Sequence, residues 1–152
     1  MTSLLNLARS PRNVCFACGP GNPCGLHLEF SKQGGMVRAA FTPRMDHAGW
    51  SGVVHGGILT TALDEAMAYV LYFRGVRAMT GRLDVRFRRP VAVGDRLTVE
   101  AETTREVRNV VDVSARLCRT DTVVAEAEAR FMVLGPLVPE DLIQDAAGVG
   151  NV

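Results

Sequence analysis

The sequence predicts an α+β fold in which one long apolar helix lies against an antiparallel sheet of about six strands. Three observations carry this reading. Residues 58–71 repeat apolar side chains at helical spacing, with Asp64 and Glu65 the only charges between Ile58 and Phe73. Four later stretches alternate apolar and polar residues with the period of a half-buried strand. Two strand-like runs precede the helix, so the elements run β-β-α-β-β-β-β.

Taken in order, residues 1–13 read as a loosely held lead-in, 14–134 as the folded domain, and 135–152 as a tail with a helical turn or two after Pro139. Leu26 to Lys32 and Met36 to Thr42 read as strands around a Gln33-Gly34-Gly35 turn. Residues 43–54 form a loop carrying His47, Gly49, Trp50 and Gly52. The helix follows His55-Gly56-Gly57 and stops near Gly75. Its residues are mostly apolar or small, so it is expected to be buried. Leu83, Val85 and Phe87 then alternate with arginines and Asp84. Leu97 to Ala101, Val111 to Leu117 and Ala125 to Val133 repeat that period. Turn signals at Val93-Gly94-Asp95 and Thr120-Asp121-Thr122 make the last three strands a meander. A sheet wrapped around a single apolar helix is the hotdog architecture.

Composition narrows the functional classes. The chain has 152 residues, the size of one domain, and its 47% hydrophobic and 22% charged residues are those of a globular protein. Seventeen basic against sixteen acidic residues leave a net charge of +1, which gives no electrostatic case for nucleic acid as the main partner. No apolar run approaches the ~18 residues that would suggest a membrane span, and the start has too short an apolar stretch for a secretory signal. A cytoplasmic protein without a membrane partner is expected, and Cys15, Cys18, Cys24 and Cys118 are not expected to form a disulfide framework.

The segment around the helix start carries the chemistry. Two glycines at a helix start cost about 1 kcal/mol each relative to alanine. Gly56 and Gly57 make sense either as a tight packing point or as backbone amides left open to a carbonyl oxygen becoming an oxyanion. Asp64 favours the second reading, because an unpaired carboxylate is costly on an apolar helix. It lies seven residues past Gly57, nearly two turns, on the same helix face, with Thr60, Thr61 and Ala68 along it. Glu65, rotated about 100°, is the rival carboxylate and is expected to be a hydrogen-bonded or interface residue. His55 either polarises the site or, the favoured reading, fixes the backbone before the helix.

Distance adds a constraint. Gly56 and Asp64 are separated by about 12 Å along a helix axis, whereas an oxyanion donor and a base must meet one carbonyl within about 3 Å. If both are catalytic, two antiparallel copies of the helix must pair, Gly56 of one facing Asp64 of the other. A two-fold homodimer with two equivalent sites follows, alone or as half of a tetramer.

Gly52-Val53-Val54-His55-Gly56-Gly57 followed by Leu63-Asp64-Glu65-Ala66-Met67 resembles the PaaI-type branch of the hotdog acyl-CoA thioesterases. Cys15-Phe16-Ala17-Cys18-Gly19 with Asn22-Pro23 and Gly25-Leu26 resembles the start of one subgroup of that branch, and Phe87-Arg88-Arg89-Pro90 with Gly94-Asp95 fits its strand after the helix. The likeness spans residues 14 to 134. It implies hydrolysis of an acyl-coenzyme A to free acid and coenzyme A, with no metal or bound cofactor and a site across a dimer. Asp64 matches the general base or nucleophile, Gly56 or Gly57 the oxyanion amide, and Thr80 a hydroxyl that orients water. The family's Asn or Gln six residues before the histidine is Gly49 here. His47 or Trp50 then fills the gap, or the activity is low. That departure keeps alive a non-catalytic acyl-coenzyme A sensor as the alternative.

Two further groups have a bland and a functional reading. Cys15-x2-Cys18-x5-Cys24-x2-His27 offers four soft ligands, but its middle spacing is not that of a common zinc finger, and a turn with small buried thiols is the reading adopted. Arg82, Arg86 and Arg88 share a strand face, with Arg89 at its end. They form a solvated outer face, or Arg88 and Arg89 reach the phosphates of coenzyme A. Trp50 either lines an acyl pocket or anchors an interface.

Overall fold

The computed structural model describes residues 4–143. A short helix α1 (Leu4–Ala8) precedes strands β1 (Ser31–Gln33) and β2 (Met36–Phe41). The long helix α2 (Gly56–Tyr72) comes next, then β3 (Val76–Phe87), β4 (Leu97–Val107), β5 (Val110–Arg119) and β6 (Thr122–Pro136). The six strands form one antiparallel sheet in the order β1-β2-β4-β5-β6-β3. The sheet curls around α2, which packs on β2 through β6. This is the hotdog architecture.

The core lies between helix and sheet. Leu63, Met67 and Leu71 of α2 are fully buried against Val99 of β4, Val111, Val113 and Leu117 of β5, and Val124 and Phe131 of β6. Burying side chains of this size stabilises a fold by roughly 1.5–3 kcal/mol each. Gly57, Thr60, Thr61, Asp64 and Ala68 form a stripe of α2 that remains exposed or half-buried, and Ile58, Glu65 and Tyr72 are also only half-buried. The expectation of a buried helix therefore holds for the side that faces the sheet, whereas the face that carries Asp64 is incompletely covered.

Four boundaries differ from the sequence reading, each for a physical reason. Leu26, Leu28 and Phe30 are buried in alternation, but the amides of Leu26 and Leu28 bond to the carbonyls of Phe16 (2.8 Å) and Ala17 (2.9 Å) rather than to a strand of the sheet. His27 takes a left-handed φ of 53° between them, so β1 is confined to Ser31–Gln33. Strand β3 begins at Val76, six residues before Arg82, because its alternation is broken at Gly81. Thr80 faces Phe131 and Arg82 faces Arg130, leaving Gly81 as the extra residue of a bulge. The turn from β4 to β5 is made by Arg108, with φ 55°, and Asn109, without glycine or proline. Helix α2 starts two residues before Ile58, with Gly56 and Gly57 as its first turn.

After Pro139 there is a single 3₁₀ turn, Pro139–Asp141; the rest of the tail from residue 144 lies outside the described residues, as do residues 1–3 of the lead-in. Ala8 and Asn13 of the lead-in are buried, and the Tyr72 hydroxyl donates to the Leu4 carbonyl. Among the described residues no helix is long and apolar enough to cross a membrane.

Candidate active site

Loop 43–54 sets the start of α2. A 3₁₀ turn, Met45–His47, brings the His47 carbonyl to the His55 amide at 2.9 Å, while the Val54 amide bonds to Val91 at 2.9 Å. His55 is thereby fixed as the N-cap of α2, and its Nδ1 accepts from the Gly57 amide at 2.9 Å. This separates two amides that the sequence leaves equivalent. The Gly57 N–H is occupied by His55, and the Gly56 N–H has no acceptor among the described residues. Gly56 is thus the amide at the positive end of the helix dipole that is open to a ligand. A His55→Ala chain should lose the cap and about 1 kcal/mol of stability, read as a lower midpoint in chemical denaturation.

Asp64 lies two turns along, half-buried, and its Oδ1 accepts from Thr80 Oγ1 at 2.9 Å. Thr80 has the parity of Val76 and Ala78, which pack toward the helix; beyond Gly81 that parity passes to Leu83 and Val85. The bulge is what lets both sets face α2. Desolvation raises the Asp64 pKa above its ordinary value, and the Thr80 hydroxyl offsets part of this. Glu65 instead faces Cys15 of the N-terminal loop at 3.6 Å, and burial pushes its carboxyl up to about 8.

The remaining candidates separate clearly. His47 is only 3% exposed, accepts from the Arg44 amide at 3.0 Å and packs on Phe41. Burial pushes its pKa down, and it holds the loop from beneath. A Cβ on Gly49 would stand 3.2 Å from His55 Cα, so a larger residue there would displace the loop that caps α2. Trp50 is 86% exposed on the loop. Arg88 is paired with Glu126, whereas the exposed Arg89 side chain has no partner among the described residues. Cys24 is exposed, and His27 Nε2 bonds to the Asn22 carbonyl at 2.6 Å, so the four-ligand set suggested by spacing does not assemble.

Phe87 is a neighbour that the sequence reading treats only as a strand residue. It is half-exposed, and its ring would lie 3.3 Å from a Cβ on Gly56. Its parity with Leu83 and Val85 was the available signal.

The family model of the thioesterase superfamily matches residues 51–126, half of the chain and the segment that runs from the loop through α2 to β6. This chain belongs to the thioesterase superfamily. A hypothetical thioesterase of Streptococcus pneumoniae, solved with coenzyme A, has the same fold with a TM-score of 0.69 and 20% identity, covering 73% of this chain and 91% of that one. Two more structures of that thioesterase, carrying an aspartate-to-alanine and a threonine-to-alanine substitution, share the fold with a TM-score of 0.67 and 20% identity. A phenylacetic acid degradation-related superfamily protein of Ralstonia eutropha shares 27% identity and a TM-score of 0.67, covering 75% of this chain and 90% of its own. An uncharacterized protein of Schizosaccharomyces pombe is 32% identical over 80 residues, 51% of this chain. The chain spans 45% of the length of that relative.

Proposed function

We propose that this thioesterase-superfamily protein hydrolyses an acyl-coenzyme A to the free acid and coenzyme A at two equivalent sites across a homodimer interface. The observation that carries the reading is the pairing of Asp64 with Thr80 on the small-residue face of α2, about two turns from the open Gly56 amide. The Gly56 N–H donates to the thioester oxygen and stabilises the negative charge that oxygen gains on attack. Asp64 of the partner takes a proton from the water that attacks, or attacks the carbonyl itself to give a mixed anhydride that water then hydrolyses, freeing the acid and Asp64. Thr80 holds that carboxylate at the angle the attack needs. The thiolate of coenzyme A leaves and is protonated by solvent.

Two features support the dimer. Asp64 and Gly56 are too far apart along one helix to meet one carbonyl. Strand β3 forms a free edge of the sheet twelve residues long, with Met79 and Phe87 exposed along it. An edge of that length leaves a row of backbone groups open to pairing with a second copy of the strand. Trp50, exposed on the loop that caps α2, serves as an anchor at the same interface. Arg89, which has no ion-pair partner among the described residues, is placed to take a phosphate of coenzyme A in the way Arg88, tied to Glu126, is not.

Thiol release from short, medium and aryl acyl-coenzyme A substrates tests the reading. Turnover of at least one class is expected, and Thr80→Val should lower kcat about tenfold, the equivalent of one lost hydrogen bond to a charged group. Binding of acyl-coenzyme A without turnover by the unaltered chain would favour the second reading, a sensor. Gly49 is the observation behind it, since the chain has no amide side chain there to hold the carbonyl.

A further inference from the structure

A second cluster stands on a different face of α2 from Asp64. The Sγ atoms of Cys15 and Cys18 and a carboxylate oxygen of Glu65 all lie within 4.8 Å of one another, and all three residues are half-buried. Ligand atoms around a tetrahedral zinc ion are about 3.3–3.8 Å apart. The Cys15 Sγ to Glu65 Oε1 distance, 3.6 Å, is already of that size. We propose that Cys15, Cys18 and Glu65 bind one Zn²⁺ ion, with the fourth coordination position opening into the adjoining cavity.

The loop is built as a thiolate site needs to be. The Cys18 sulfur faces the side-chain amide of Asn13 at 3.7 Å. Donors aimed at sulfur disperse thiolate charge and fix the ligand's direction. Asn13 is itself buried and clamped, its Nδ2 donating to Ala8 at 2.8 Å and its Oδ1 accepting from the Cys15 amide at 3.0 Å. Gly19 closes the turn, with its amide on the Cys15 carbonyl at 2.8 Å. A Cβ there would lie 2.4 Å from the Cys15 nitrogen, so no larger residue fits.

The cavity beside the cluster measures about 360 Å³, and Asn13, Tyr69 and Tyr72 line it together with all three ligands. Structural zinc sites are closed by four protein ligands, whereas sites with three keep a place for water or an anionic group. The ion would also tie the N-terminal loop to the middle of α2, across fifty residues of sequence between Cys15 and Glu65.

The test uses the full chain, stripped with a chelator, reloaded with zinc and desalted. One zinc per chain by elemental analysis is expected, with a melting temperature that rises on reloading. Cobalt in place of zinc should give the intense visible bands of a tetrahedral thiolate site. Cys15→Ser, Cys18→Ser and Glu65→Gln should each abolish or weaken binding at least tenfold, while Cys24→Ser and His27→Ala keep full stoichiometry. Circular dichroism of each variant separates loss of the site from loss of the fold. No retained zinc in the folded wild type would overturn the proposal. So would equal dependence on Cys24 and His27, or a thiol count showing Cys15 and Cys18 joined as a disulfide. Metal content is read without substrate, so its outcome is independent of whether the chain turns over a thioester.

Discussion

Asp64→Asn is expected to lower kcat for acyl-coenzyme A hydrolysis by about 10³-fold or more, with KM little changed. The amide is isosteric and its oxygen still accepts from Thr80, which holds 2.9 Å from Asp64 Oδ1, so geometry is preserved while the base or nucleophile is removed. General-base assistance alone is worth about 10²–10⁴ in rate. The same substitution has an opposite effect on stability. Desolvation raises the folded-state pKa of Asp64 above its ordinary 3.8. Between that value and the raised one, the folded chain holds more protons than the unfolded chain, so stability falls as pH rises through the window. At neutral pH the wild type carries the full cost of the ionised carboxylate. The asparagine variant should melt at the same temperature or higher, and the gap should close as pH falls below 3.8. Thiol release and thermal melts on the same samples read both effects. Unchanged turnover would remove Asp64 from the centre of the mechanism and turn attention to Glu65.

A mixing experiment asks whether the site is shared between chains. Gly56→Val places a branched side chain where the open amide must be approached, with the half-exposed ring of Phe87 as its nearest neighbour at 3.3 Å from the Cβ position. Either variant alone should be inactive. When Asp64→Asn and Gly56→Val chains are unfolded together and refolded in equal amounts, half the dimers are hybrids. Each hybrid has one site built from the two intact halves and one built from the two altered halves. Activity should return to about a quarter of the wild-type value, from a background near zero. No recovery, with hybrid dimers shown to form, would place both groups on one chain or exclude one of them.

The periods of β2, α2 and the β4–β6 meander were legible in the sequence because each buries one face against the same core. What escaped is local geometry that leaves no period. The Leu26 to Phe30 run alternates like a strand, but its amides are satisfied by the cysteine loop. Gly81 shifts the parity of β3 and hides its first half. Arg108 and Asn109 turn the chain without a glycine or proline to mark it. At the site, Asp64 was legible as a charge on an apolar helix, whereas Thr80 came only from family likeness, since nothing in its neighbours points to the carboxylate sixteen residues away. The preference of Gly56 over Gly57 needed the His55 cap. The assembly of Glu65 with Cys15 needed the fold itself, since fifty residues separate them.

Strand β3 has a consequence beyond catalysis. A twelve-residue edge with exposed Met79 and Phe87 is, on a lone chain, a template for unwanted strand addition. In the pairing proposed above, the same strand covers its own adhesive edge and brings Thr80 and Phe87 to the two halves of the site. Selection for solubility and selection for activity then act on one surface. In that pairing, a substitution that blunts the edge against aggregation would also take apart the site, which leaves this chain little freedom to solve the two problems separately.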